Sequence, residues 1–219
     1  GVLFSKDKTE LIIYPRAKSD ASYNIPNTVT SIGYEAFKEC SGLSSITIPK
    51  NVTYLGDRAF LDCTSLSSVE WNAITCNDQT APVFKESPIN QFTFGNEVQR
   101  IPAYLCSGMS RLDEITIPNT VTTIGAYAFS NCSKITSVIV PNKVSLIAEG
   151  AFNNCSKLIS IILGQNVSMI ENYAFSGCRK LRDVTSYAEV VPETGYEEIF
   201  ENYNANLYVP CDALEDYYY

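Results

Sequence analysis

The sequence predicts an α/β repeat solenoid, with short strands on one face and short helical turns on the other. Three observations carry this. The stretch IPNTVTTIGAYAFSNCSKITSVIV (117–140) is followed at once by a near copy of itself, VPNKVSLIAEGAFNNCSKLISIIL (140–163). Counting from Ile25, an apolar residue returns every 23 positions at Ile48, Trp71, Phe94, Ile117, Val140 and Leu163, is replaced at Ser186, and returns at Val209. Five units carry Ala-Phe-x-x-Cys, at 36–40, 59–63, 128–132, 151–155 and 174–178.

The chain divides into three parts. Residues 1–24 read as an N-terminal capping hairpin, because LFSKDKTELIIYP (3–15) is two strand-like runs around a polar turn. Residues 25–185 form the repeat array. Within a unit, LSSITIP (43–49) reads as a short strand ended by a proline that cannot donate to a continuing ladder. A second extended piece follows at Val29 and Ile32, and GYEAFKEC (33–40) has the composition of one or two helical turns. Further columns run through Leu43, Leu66, Ile89, Leu112, Ile135, Leu158 and Leu181, and through Ile46, Val69, Phe92, Ile115, Val138, Ile161 and Val184. Their register is expected to hold along the whole array.

The unit 71–93 is irregular, with Asp78, Pro82, Val83 and Glu86 where Ile, Ala, Phe and Cys are expected, and the next unit carries Leu105, Cys106 and Met109. A looser, loop-rich stretch is expected around 72–90. Residues 186–219 read as an acidic C-terminal capping segment, in which Asp212 and Glu215 have the form of a capping box. A unit of this size cannot bury enough on its own, so units stack with strands about 4.8 Å apart and caps close the ends.

Composition narrows the function. At 45% hydrophobic content the chain can bury a sizeable core, and no apolar run is long enough to cross a membrane as a helix. Residues 1–185 hold 16 acidic and 16 basic side chains; residues 186–219 hold 8 acidic and none basic. No run of Lys and Arg marks a phosphate-binding surface, so nucleic acid and anionic membrane are not expected partners. There is no histidine, which removes the commonest general base and transition-metal ligand. No catalytic site, metal site or cofactor is expected.

The pattern L-x-x-I-x-I-P followed by V-x-x-I-G-x-x-A-F-x-x-C-x-x-L resembles the BspA-like leucine-rich repeat family, over residues 25–185. The resemblance implies a right-handed leucine-rich repeat solenoid and a non-enzymatic protein-binding module of a bacterial cell-surface or secreted protein. Adhesion or host interaction is the expected role, with a host or bacterial surface protein as partner. The alternative is a structural spacer holding another domain away from the cell. The opening GVLFSKDKTE has no basic and apolar leader, so any export signal is expected to lie outside this chain. Intact caps imply a monomer.

Other features have plainer readings. Cys40, Cys63, Cys132, Cys155 and Cys178 share one repeat position and are expected to be buried free thiols acting as small hydrophobes, since side chains stacked in parallel lack disulfide geometry. Cys76, Cys106 and Cys211 lie outside that column, with no histidine to activate a thiolate. The glycosylation sequons at Asn51, Asn131, Asn154 and Asn166 arise from the repeat's own turns, and the resemblance implies that they stay unmodified. Asp113-Glu114 and Glu197-Glu198 read as solvated surface, and Tyr217, Tyr218 and Tyr219 as the end of a helix.

The candidate binding face is the outward column of the strands: Thr47, Glu70, Thr93, Thr116, Ile139, Ile162 and Thr185. With Val138 and Val140 inward, Ile139 is expected to face solvent beside Ile162, and Ile159 to widen the patch. The predicted ligand-binding set is therefore Glu70, Thr93, Thr116, Ile139, Ile159, Ile162 and Thr185.

Overall fold

Alternation between buried and exposed residues in Ser45–Ile48, where Ile46 and Ile48 are buried and Ser45 and Thr47 partly exposed, sets the inner and outer faces of each turn. The computed structural model describes residues 1–195, 199–200 and 205–210. The chain winds as a right-handed β-solenoid of about eight turns. A regular turn contributes one front strand and one shorter back strand, and equivalent residues pair 23 positions apart, as Ser45 with Ser68 and Ser68 with Gln91.

The front strands fall into two parallel sheets. Ser22–Asn24, Ser45–Ile48, Ser68–Trp71 and Gln91–Phe94 form the first; Ser137–Ile139, Ser160–Leu163, Asp183–Ser186 and Asn206–Tyr208 form the second. The back face divides one turn earlier. Glu10–Ile13, Ser31–Ile32 and Tyr54–Leu55 form one group, and Arg100–Ile101, Thr123–Ile124, Leu146–Ile147, Met169–Ile170 and Glu193–Thr194 the other. At the N-terminus, Leu3–Phe4 turns back antiparallel onto Glu10–Ile13, around a turn in which Asp7 accepts hydrogen bonds from Ser5 Oγ and the Thr9 backbone N–H.

The expected helical turns are absent among the described residues, and the reason lies in where the backbone bonds go. In the Ala-Phe segment the N–H groups of Glu35, Phe37 and Glu39 donate to the next rung, at Asp57, Ala59 and Leu61, while those of Ala36, Lys38 and Cys40 bond three residues back within their own rung. A helix would need all six bonds to stay inside the segment. Left-handed backbone at Glu35 and Glu39, repeated at Tyr127 and Asn131, breaks the helical path every fourth residue. The same two columns hold Gly150, and Gly108 and Gly177, at positive φ. The architecture is therefore a β-solenoid with turns, without the α component of the expected class.

Aromatic rings stack through the core: Tyr14, Phe37, Phe60 and Phe84 in the first half, and Phe129, Phe152, Phe175 and Phe200 in the second. Phe84 rather than Val83 stands 4.9 Å from Phe60, which corrects the expectation of unbroken register. Val83, Phe84 and Ser87 take the places of Ala, Phe and Cys one residue late, and Ile89 is buried back in its column. Glu86 holds the left-handed turn position there, at φ 65°.

Between the two halves the ring stack is interrupted at Cys106, which occupies the Phe column. Phe92 and Phe94 fill that space from the front strand: they lie 5.0 Å apart, and Phe94 meets Phe129 edge-on at 6.4 Å. Both rings stand where most other units carry Ile, Val or Leu. The following front segment, 113–117, makes no backbone hydrogen bond to either neighbouring front strand, and Ile115 is only partly buried. Extra ring volume beneath a rung is relieved by lifting that rung.

The missing back strand of the irregular unit is replaced by side chains. Asn77 Oδ1 accepts the Leu55 N–H at 2.7 Å, and Asn77 Nδ2 donates to the Leu55 carbonyl at 3.3 Å, as a paired strand would. Gln79 Nε2 donates to the same carbonyl. On the other side Asp78 accepts the Ala103 N–H at 2.8 Å and forms an ion pair with Arg100, whose guanidinium also donates to the Cys76 carbonyl. Burial acts to raise the Asp78 pKa, but these donors outweigh it and hold the carboxyl below its ordinary value. The segment is loop-rich as expected, and stitched to both neighbours.

Candidate functional site

Pairing of Ile139 with Ile162, and of Ile162 with Thr185, makes an outward row on the second front sheet. Ile139 is 63% exposed, and Ile162 and Thr185 are half-buried. The row continues to Tyr208, which pairs with Thr185 and is 52% exposed. Tyr208 lies one period after Thr185, so extending the column by one unit finds it. Beside the row, Asp183 accepts hydrogen bonds from Asn206 Nδ2 at 3.1 Å and from the Tyr208 hydroxyl at 3.4 Å, fixing the last strand of the face. Ile159, 43% exposed, lies at the entry to its strand with Arg179, Lys180 and Arg182 around a shallow depression, and not in the row itself.

On the first front sheet Thr47, Glu70 and Thr93 stand side by side. Glu70 is held by Thr47 Oγ1 at 3.2 Å and Asn72 Nδ2 at 3.0 Å. Thr116 is exposed but belongs to no strand, because its segment is the lifted one. The expected continuous column is thus two rows, with a cleft of about 730 Å3 between Gln91–Phe94 and 112–118. Glu70 and Thr93 share one row, Ile139, Ile162 and Thr185 the other, and Thr116 neither.

The thiols offer no reactive centre among the described residues. Burial pushes Cys40 up to about 11 and Cys63, Cys76 and Cys132 up to about 12, and raises Cys106 as well, so the thiolate is disfavoured at neutral pH. All seven described cysteines are free. No group of His, Cys, Asp or Glu among the described residues is arranged to hold a metal ion. No helix among them is long and apolar enough to cross a membrane. Cys211, Asp212, Glu215, the Glu197-Glu198 pair and Tyr217 to Tyr219 lie outside the described residues.

No curated protein matches the chain. Among solved structures, a leucine-rich repeat protein from Eubacterium ventriosum is similar, with a TM-score of 0.67 and 31% identity over 80% of this chain. This chain spans 48% of the length of that one. The leucine-rich repeat protein of T. pallidum has the same fold at 23% identity, with a TM-score of 0.59, covering 89% of this chain and 82% of its own. The BspA type leucine-rich repeat pattern matches in six copies over residues 17–81 and 79–206. With its 23-residue rungs, Ala-Phe turns and paired front strands, this chain belongs to the BspA type leucine-rich repeat family.

Proposed function

We propose that this chain is a non-enzymatic protein-binding module of a bacterial cell-surface or secreted protein, acting in adhesion or host interaction through its second front sheet. One observation carries the reading: the Ile139–Ile162–Thr185–Tyr208 row puts apolar and aromatic side chains into solvent on a hydrogen-bonded sheet. Apolar surface ringed by polar residues is the ordinary make-up of an interface centre, and aromatic residues are enriched there. Here Ser137, Ser160, Asp183 and Asn206 form the polar row alongside. A surface location is carried over from the family.

The experiment is a binding screen of the folded chain against extracellular-matrix, plasma and bacterial surface proteins, with an Ile139→Asp/Ile162→Asp variant beside it. A partner lost in the variant, with the circular dichroism spectrum unchanged, supports the module and locates its face. No partner, or one indifferent to the substitutions, removes this face from consideration and favours the spacer reading.

A further inference from the structure

The linear sequence holds one short basic stretch, at Arg179, Lys180 and Arg182, and the 23-residue pitch aligns basic residues of earlier units with it. Arg111, Lys134, Lys157 and Lys180 occupy the same position in four successive units, each immediately before a buried core residue: Leu112, Ile135, Leu158 and Leu181. All four are exposed, and among the described residues none forms an ion pair with a carboxylate. The equivalent positions of the preceding units are Gly42, Ser65 and Pro88, so the charged column begins where the front sheet divides.

Backbone pairing on both sides holds the lysines in register. Upstream, Asn131 N–H donates to the Asn153 carbonyl and Asn154 N–H to that of Ser176. Downstream, Ser137 pairs with Ser160 and Ser160 with Asp183. Rungs about 4.8 Å apart place the four cations along about 14 Å of one edge of the solenoid. Arg111 is fixed from its upstream side, where Gly108 N–H donates to the Ser130 carbonyl. Like charges aligned at this pitch repel one another, and a line of anions running along the edge relieves that repulsion.

We infer that this edge binds a linear polyanion of the sulfated polysaccharide class, lying along the solenoid axis. A single small anion would touch only one or two of the cations, whereas a charged polymer engages the whole row. The column just before it supplies hydroxyls, Ser110, Ser133 and Ser156, which suit sugar and sulfate oxygens. No aromatic residue occurs in 131–137, 154–160 or 177–183, so the edge lacks the stacking platforms that single-stranded nucleic acid requires. This site is separate from the Ile139–Ile162 row and does not depend on it.

The test uses the full chain and heparin oligosaccharides on an immobilised-ligand biosensor, across a salt series. Binding to heparin but not to desulfated heparin is expected. In Lys134→Gln/Lys157→Gln the affinity should fall at least tenfold, and the slope of log affinity against log salt should shrink by about two, one per cation removed. Lys143→Gln, on the turn beyond the front strand, should bind as the parent does. Absence of heparin binding, equal loss in Lys143→Gln, an unchanged double variant, or DNA bound as tightly as heparin would each overturn the assignment.

Discussion

The thiol of Cys63 donates to the backbone carbonyl of Phe37 across the rung boundary, at 3.0 Å. That carbonyl also accepts the Cys40 N–H at 3.2 Å, so the thiol occupies its second lone pair. Cys132, Cys155 and Cys178 repeat the contact at 3.2 Å with the carbonyls of Cys106, Phe129 and Phe152. The column expected to act as small hydrophobes also closes a hydrogen bond between rungs. Cys63→Ala is expected to cost about 1–3 kcal/mol, from the lost bond together with the space left by sulfur. Ser87, which takes the same place in the irregular unit, buries its hydroxyl without a partner among the described residues. Ser87→Ala is therefore expected to be neutral or to stabilise by up to about 1 kcal/mol. The urea-unfolding midpoint should fall for Cys63→Ala and hold or rise for Ser87→Ala, and parallel losses would refute the distinction.

The same thiols set an alkaline limit on stability. In the unfolded chain a thiol titrates near 8.5. In the fold Cys63, Cys76 and Cys132 are pushed up to about 12 by burial. Below about pH 8.5 both states hold the proton, so these groups contribute no pH dependence. Above it the unfolded chain loses protons that the folded chain keeps, and stability falls by about 1.4 kcal/mol per pH unit for each such thiol until its folded value is reached. Tyr127, raised to about 12 chiefly by its hydrogen bond to Glu149, acts in the same direction at higher pH. Urea midpoints should be level from pH 7 to 8 and fall between pH 9 and 10. A flat profile to pH 10 would contradict the burial of these thiols.

How much of this was legible before the fold was known follows from which forces are periodic. The columns through Ile46 and Leu43 were legible because burial repeats with the rung. The exposure of Ile139 beside Ile162 followed from strand alternation alone. In the turn segments local propensity around Ala36 and Phe37 favours a helix, and only the inter-rung bonds of Glu35, Phe37 and Glu39 overrule it. A signal was present: Gly150 shares a column with Glu35 and Tyr127, and glycine at a recurring position marks left-handed backbone.

The one-residue slip at Phe84 was hidden because Val83 and Phe84 are both apolar, so either register fits a hydrophobic pattern. Only ring stacking on Phe60 chooses between them. The side-chain bonds of Asn77 and the lifting of Thr116 out of the outward column depend on neighbours about a full rung away, as does the alignment of Lys134 with Lys157. A residue-by-residue reading sees Asp78 as a defect and the lysines as scattered. Reading down the column, at the pitch of the solenoid, recovers the lysines but not the volume exchange that lifts 113–117.

That exchange can be tested directly. Cys106 leaves a gap in the ring stack between Phe84 and Phe129, and Phe92 and Phe94 fill it from the front strand. Cys106→Phe restores the repeat consensus, yet it adds a ring to space already taken and is expected to destabilise by about 1–3 kcal/mol. Phe94→Ile alone also destabilises, by about 1–2 kcal/mol, because it opens a cavity beside Cys106. Together the two substitutions should offset one another, with a favourable coupling of at least about 1 kcal/mol measured by urea unfolding. Residues 113–117 should then settle onto the Gln91–Phe94 strand, seen as slower amide exchange across that segment than in the parent. Additive losses with unchanged exchange would mean that the lifted rung has a cause other than the displaced rings.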